Sequence, residues 1–512
     1  MADNAAPGPR CVALVGPYLS GKTTLLESIL FMTGKIGRRG SVKEGNTIGD
    51  SSAEARARQM STELSVAETE YLGDVWSFID CPGSIEFLQE ARYALTVADV
   101  AVIVCEPEPD KALMLSPLLR HLDRHDIPHI LFINKMDHLS ARVSDVMAAL
   151  QAVSERPMVL RQIPIRDGDT VTGYVDVVSE RAYRYKSGEA SDLIELPAEL
   201  KDRKDEVRQE LLEFLADFDD TLLEQLLEDV IPPTGEVYDH LANNLRRDRI
   251  VPVLMGAAER GGGVRRLMKL LRHEAPTAAM TAERLGLDAG DDLLVQVFKT
   301  LHQPHTGKLS LGRVWRGTVS DGMSLGNTRV NGLYTLMGHD QTKIASAGLG
   351  AVVAMGRMES VATGDAITTA GASAEAAVNR PQKLPGVFAT AISAENRQDE
   401  VKLSGALQKL MEEDPSLSIE QNQDTRELVL WGQGEIHLQV TLERLKSKFN
   451  LPAAGRRPQV PYKETIRKGI DQHARFKRQT GGHGQFADVK VTIKPLPRGE
   501  GFVFEDKVVG GA

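Results

Sequence analysis

The run Gly16-Pro17-Tyr18-Leu19-Ser20-Gly21-Lys22-Thr23 is the first place where residue types and spacing can do chemistry. It matches G-x-x-x-x-G-K-[ST]. The glycines let the backbone curl so that several N–H groups converge on phosphate oxygens. Lys22 can then reach the β- and γ-phosphates of a nucleotide, and the Thr23 hydroxyl suits Mg²⁺. If a helix follows, its positive N-terminal end adds to the cradle, so Thr24 joins the binding set. The plain alternative is a Gly-rich turn that matches by accident.

A phosphate loop does not choose the base. Asn134-Lys135-Met136-Asp137 can. Asp137 can accept from the N1–H and the exocyclic amine of guanine together. Adenine has no such donor pair and would leave a buried carboxylate unpaired. Lys135 can cover the ring face, and Asn134 can tie this loop to the phosphate loop. Asp80-Cys81-Pro82-Gly83 supplies two further groups. Asp80 is placed to hold Mg²⁺ through water, and the Gly83 N–H can sense the γ-phosphate, whose loss would release the loop. In Gly256-Ala257-Ala258 a backbone N–H could lie near the guanine O6.

These motifs need a scaffold. Val12–Val15, Val75–Ile79, Val100–Cys105, His129–Ile133 and Val251–Leu254 read as buried strands, and Thr24–Phe31 as a helix. Alternating strands and helices favour a parallel sheet with crossover helices. Residues 158–250 break the rhythm. Val171–Val178 and Ala182–Lys186 read as antiparallel strands, and Val207, Leu211, Leu215, Phe218, Leu222 and Leu226 fall on one helical face. Short strands with Gly turns between residues 293 and 369 suggest a small β-barrel. Residues 387–451 read β-α-β-β-α, with Val401, Leu407 and Leu410 on one helix face and Leu438, Leu442, Leu445 and Phe449 on the other helix, the split βαβ or ferredoxin-like pattern. The expected fold is multidomain α/β plus β-barrel plus α+β: a P-loop GTP-binding domain at 1–285 with an insertion at about 158–250, a β-barrel at 290–372, a ferredoxin-like domain at 385–452, and a partial fourth domain at 456–512.

Composition narrows the class. The chain has 512 residues, 42% apolar and 26% charged, which are ordinary globular values. No apolar run approaches the ~20 residues of a membrane span, so no membrane partner is expected. Met1–Arg10 offers no apolar core for a secretory signal. The three cysteines (Cys11, Cys81, Cys105) are far apart and odd in number, which points to a reducing, cytoplasmic setting. A net charge of −10 excludes a globally basic nucleic-acid coat but not one local basic face. Such a stretch exists. From Arg456 to Arg478 eight Lys/Arg stand against two acids, with Tyr462 and Phe476 interleaved. A solvated linker is the plain reading, and contact with RNA phosphates the functional one.

Taken in order, the nucleotide motifs and the segments after them resemble elongation factor G and its paralogues among translational GTPases. Glu412-Glu413-Asp414-Pro415-Ser416, Gly432-Gln433-Gly434-Glu435-Ile436-His437-Leu438, Tyr462-Lys463-Glu464-Thr465-Ile466-Arg467 and Gln479–Phe486 carry the later likeness, which runs from about Cys11 to the C-terminus. The resemblance implies GTP-driven work on the ribosome, either translocation or ribosome disassembly, by a cytoplasmic and monomeric protein elongation factor. Ribosomal RNA and proteins are the implied partners, with tRNA a further candidate. GTP/GDP and Mg²⁺ are the implied cofactors. It also strengthens the RNA reading of the basic stretch, while His483 reads as a loop residue.

Four departures follow from the resemblance. Ser84 stands where the family's water-positioning His is expected. A short neutral hydroxyl lacks that reach and charge, so the alternative is a GTP-binding ribosome-associated factor with weak hydrolysis, acting in recycling, protection or regulation. Leu19 stands where the family often has an Asp that serves a monovalent cation. Arg58-Gln59-Met60-Ser61 aligns with the family's Arg-Gly-Ile-Thr in the first switch, which nominates Ser61 for Mg²⁺, with the neighbouring Thr62 as the alternative. The chain stops at Val508-Val509-Gly510-Gly511-Ala512, inside what corresponds to the fourth domain, so a fragment or truncated form is expected.

Overall fold

Strand β1 (Arg10–Val15) runs through the centre of a sheet and is buried along its whole length. It pairs in parallel with β3 (Asp74–Asp80) on one side and β4 (Val100–Cys105) on the other. β5 (His129–Ile133), Val251–Met255 and Met158–Leu160 continue the parallel ladder. These strands are near-continuous apolar runs because helices cover both faces. β2 (Ser65–Tyr71) departs from the expected alternation. It lies antiparallel to β3 at the outer edge of the parallel set. Helix α1 (Lys22–Met32) starts directly after the phosphate loop and buries Leu25, Leu26, Ile29 and Leu30. The phosphate loop, Asp80 and Asn134 therefore all sit at the carboxyl ends of neighbouring strands, where open α/β sheets bind ligands.

This computed structural model describes residues 8–138, 141–168, 170–186, 189–287, 290, 292–303, 306–326, 328–373 and 378–508, with the side chains of Arg397, Gln479, Thr480 and His483 also outside the description. The chain's last four residues, 509–512, lie outside it too. It forms two compact units, Met1–Gln421 with Leu428–Arg457, and Asn422–Glu427 with Pro458–Ala512.

Between Met158–Leu160 and Val251–Met255, four antiparallel strands (Gln162–Asp167, Thr170–Asp176, Arg181–Arg184, Asp192–Ile194) pack on three helices. The single helical face expected from Val207 to Leu226 is broken. One helix ends at Ala216 and the next covers Asp220–Leu227, because the Asp219 carboxylate accepts from the N–H groups of Thr221 and Leu222 at 3.0 and 3.1 Å. A side chain that satisfies the first free amides starts a new helix.

The long strands Leu294–Gln303 and Gly307–Arg316 pair antiparallel and continue through Val352–Gly356 to Leu333–Met337. Met337 in turn pairs with Ala67 of β2, so this β-rich segment and the first sheet share one hydrogen-bonded ladder. The split βαβ pattern is present with a fourth strand, Ala453–Arg456, which lies in the stretch expected to follow the domain. The sheet order is Ser418–Gln421, Leu428–Gly432, Phe388–Ala394, Ala453–Arg456. Val401 is not on the inner face of its helix. It is 87% exposed, whereas Leu403, Ala406, Leu407 and Leu410 are buried. Six residues separate Val401 from Leu407, about 240° around a helix, so the two cannot share a face.

In the second unit Ile470–Thr480 and His483–Ile493 form a hairpin. Gly481 and Gly482 both take positive φ (52° and 70°) in its turn, the geometry that favours glycine there. His483, expected in a loop, opens the second strand. Among the described residues no helix is long and apolar enough to cross a membrane. Cys11, Cys81 and Cys105 are free and buried, and burial pushes the thiols of Cys11 and Cys105 up to about 12, which makes them inert.

Candidate functional site

The loop between β1 and α1 needs both of its glycines. Gly16 has φ +137°, and a Cβ there would lie 2.2 Å from the Val104 carbonyl oxygen. Gly21 has φ +94°, and its Cβ would lie 2.3 Å from Asn134 Nδ2. Neither the backbone nor the space admits a side chain. Leu19 also adopts a left-handed conformation at φ 65° and is exposed, with Tyr18 beside it. Lys22 is buried at the centre of the loop, its Nζ donating to the carbonyls of Gly16 (3.0 Å) and Pro17 (2.9 Å). Burial lowers its pKa while the neighbouring Asp80 pulls it back up. Ser20 is buried and Thr24 lines the cleft.

Asp80 closes the end of β3. Thr23 Oγ1 donates to its Oδ2 at 2.7 Å and lies 3.4 Å from Ser61 Oγ. Sequence reasoning missed a second carboxylate here. Asp50 is buried beside the same group, and burial followed by its charge raises the Asp80 pKa. Burial raises that of Asp50 in turn, against a hydrogen bond from Ser61. Asp50 Oδ1 and Asp80 Oδ1 are both buried without a hydrogen-bond donor. Two carboxylates and two hydroxyls with orphaned oxygens form an all-oxygen donor set, the chemistry of a hard divalent cation. Gly83 packs against this group. A Cβ there would lie 2.4 Å from Lys22 Nζ and 2.7 Å from the Pro17 carbonyl.

Asn134 does more than tie two loops. Its Nδ2 donates to the Ser20 carbonyl and its Oδ1 accepts from the Ala258 N–H, each at 2.9 Å. Three loops from three strands are thereby held by one side chain. Lys135 Nζ donates to the Leu19 carbonyl at 2.7 Å and pairs with Glu106 at 2.5 Å. Asp137 faces the same cleft and pairs with Arg260 Nε at 3.0 Å. The amides of the Ala257-Ala258 turn are engaged within the protein. Ala257 donates to Gly262 and Ala258 to Asn134, so neither is left for a base oxygen in this arrangement. A cleft of about 940 Å³ joins Lys22, Thr23, Asp50, Ser61, Asn134 and Asp137, a size that suits a nucleotide.

Ser84 does not line this cleft. Its Oγ accepts from the Glu86 N–H at 3.4 Å and caps the short turn Ile85–Phe87. Glu86, another residue that sequence reasoning missed, reaches the ferredoxin-like segment. Its carboxylate accepts the His437 N–H at 2.7 Å, in the first turn of the Glu435–Phe449 helix, where a negative charge is favoured.

Comparison with known proteins accounts for nearly the whole chain. Residues 9–277 match the elongation factor Tu GTP binding domain, 292–370 elongation factor G domain 2, 385–454 elongation factor G domain III and 458–512 elongation factor G domain IV. An elongation factor G-like protein of Synechocystis sp. is 51% identical over 98% of this chain and 75% of its own length. The chain belongs to the elongation factor G family. It is a translational GTPase that binds guanine nucleotide. The elongation factor G of Fervidobacterium nodosum is 31% identical over 98% of this chain and 75% of its own length. A crystal structure of a protein from Thermus thermophilus superposes with a TM-score of 0.83 at 32% identity, over 95% of this chain and 73% of that one. The fold of this family member is thus the expected one: a GTPase domain, a β-domain, an α+β domain and the segment 458–512 that matches domain IV.

Proposed function

We propose that this family member binds GTP in the cleft at Lys22 and hydrolyses it on the ribosome to drive translocation or ribosome disassembly. The observation that carries the reading is the convergence of Lys22, Thr23, Asn134 and Asp137 on one cleft, with Asp80 behind Thr23 and the loops held together by Asn134. The amides from Gly16 to Thr24 wrap the phosphates and Lys22 neutralises them. Asp137 reads the N1–H and amine of guanine once Arg260 yields, and Lys135 lies over the base. Thr23, Ser61 and Asp80 are the residues that hold Mg²⁺, which when bound offsets phosphate charge. Gly83, packed on Pro17 and Lys22, is placed to register the γ-phosphate. The domain limits we adopt are 1–285, 290–372, 385–457 and 458–512, the third extended to take in the strand Ala453–Arg456, which pairs with Phe388–Ala394. We place the factor in the cytoplasm as a monomer, with ribosomal RNA, ribosomal proteins and tRNA as its contacts.

One observation favours slow intrinsic hydrolysis. Ser84 caps its own turn instead of entering the cleft, so no side chain at that position orients water. GTP turnover with and without purified ribosomes, at low and high salt, tests the main reading. Equal rates in all conditions would refute it. Single-turnover phosphate release by wild type and Ser84→His tests the slow-hydrolysis reading. A fast wild type to which the histidine adds nothing rules it out.

A further inference from the structure

The first switch segment carries two adjacent hydroxyls, Ser61 and Thr62. Outside a helix, consecutive side chains point to different sides, so only one of them can face the phosphate loop. Ser61 Oγ lies 3.4 Å from Thr23 Oγ1, whereas Thr62 is 1% exposed and its Oγ1 accepts from Arg444 Nη2 at 3.3 Å. The same guanidinium nitrogen pairs with Glu63 at 3.1 Å. Arg444 is buried and comes from the Glu435–Phe449 helix, 382 residues further along the chain.

That helix also grips the segment on the N-terminal side of Ser61. Glu443 makes a two-pronged pair with Arg58 at 2.5 and 2.7 Å, and Ser447 Oγ donates to Glu54 at 2.7 Å. Val440 forms a small buried core with Met60 of the first switch and Phe87 after the Asp80–Gly83 turn. A single buried guanidinium nitrogen that donates to a hydroxyl and forms an ion pair with the carboxylate of the next residue does more than add affinity. It defines which residue stands at which place.

We propose that Arg444 is a positioning residue: by holding Thr62 and Glu63 it sets the register of the first switch, so that Ser61 and not Thr62 presents its hydroxyl beside Thr23 to the divalent cation of GTP. This rests on the reading of the cleft as the GTP and Mg²⁺ site. A sliding of one residue would exchange the two hydroxyls, and the arginine opposes it. Switch contacts of this kind act when the γ-phosphate is present, so the effect belongs to the triphosphate state.

The test uses the full chain with GDP and a non-hydrolysable GTP analogue, in the presence of Mg²⁺. Ser61→Ala and Arg444→Ala should each weaken analogue binding by roughly tenfold and leave GDP binding within about twofold. Thr62→Ala should have the smaller effect of the two hydroxyl changes. The Ser61→Ala/Arg444→Ala pair should be no weaker than Arg444→Ala alone, since both remove the same contact. In the analogue-bound protein, Arg444→Ala should also speed tryptic cleavage after Arg56 and Arg58. The assignment is overturned if Thr62→Ala weakens analogue binding more than Ser61→Ala, or if Arg444→Ala weakens GDP and analogue equally, as a merely structural role would. Should Arg444→Ala fail to fold, Arg444→Met, which keeps the side-chain volume and removes both contacts, takes its place under the same criteria. A wild type that binds neither nucleotide would overturn the functional reading itself, and this assignment with it.

Discussion

In the function proposed above Asp137 carries the choice of base, and its surroundings explain how it can. Its side chain is largely enclosed, Arg260 is its charged partner, and the residue sits in the loop that Asn134 anchors to the phosphate cradle. A carboxylate so placed gains two charge-assisted hydrogen bonds from guanine, and none of that pattern from adenine. Asp137→Ala is expected to weaken GDP binding by roughly a hundredfold or more, with ADP competing no better than before. Fluorescent-nucleotide titration checks this. Unaltered GDP affinity would remove Asp137 from the base site. Ser84 makes the opposite case at the same scale. A hydroxyl two atoms from the backbone is used up by the nearest amide, and the site loses reach it would have had with an imidazole.

At the scale of elements, the joints between segments are built from buried charge. Asp99 accepts from the Cys11 N–H (2.7 Å), from Thr281 Oγ1 (2.6 Å) and from Arg313 (2.7 Å), and Arg313 and Asp99 are both fully buried. One carboxylate thus ties β1 to the Gly307–Arg316 strand. Arg313→Met leaves it without its cation and should cost about 3–5 kcal/mol, read as a lower urea midpoint. A loss below ~1 kcal/mol would show that the pair behaves like a surface bridge. Glu63 supplies a pH-dependent joint. Burial pushes its pKa up, but Arg444, then Lys448 and Lys299, more than offset this and hold it down at about 2. Because the folded value lies below the usual 4.5, the stabilisation is complete above that pH and is lost as pH falls through about 2. Glu63→Gln should therefore melt below wild type at neutral pH, with the gap closing as the solution is acidified. A gap that stays constant would mean that the carboxylate charge is not what matters.

Across the whole molecule, charge is unevenly spread. The chain carries −10 overall, yet the stretch from Arg456 to Arg478 has an excess of six positive charges, and its described side chains from Arg456 onward are mostly exposed. Within the second unit Arg475 pairs with Asp488 at 2.9 Å and lies over the Phe486 ring, while Lys477 and Arg478 are exposed. Exposed cations of this kind bind RNA by releasing counterions, so affinity falls steeply with salt. The double change Lys477→Glu/Arg478→Glu should weaken ribosome binding, flatten its logarithmic salt dependence by roughly one for each lost phosphate contact, and leave GDP affinity untouched. Co-sedimentation with ribosomes across a salt series measures it. An unchanged slope would return this stretch to a solvated linker.

The amino-acid sequence by itself determined where the candidate nucleotide-binding loops lie. Gly16 to Thr23, Asp80 to Gly83 and Asn134 to Asp137 are each contiguous, and each follows an apolar strand, so local order was enough to place them at one sheet edge. It also determined the split βαβ pattern, because helical and strand periods repeat within a few residues. The tertiary structure alone decided the rest. Asp50 carries no motif around it and becomes part of the Thr23–Asp80 group only through folding. Leu226 shows that periodicity marks apolar residues without marking where a helix breaks, whereas helical geometry by itself already puts Val401 off the face of Leu407. The choice between Ser61 and Thr62 could not be read from the first switch at all, since their neighbouring hydroxyls differ only in which way they face. That direction depends on Arg444, and no local signal links two residues that meet across nearly the whole chain.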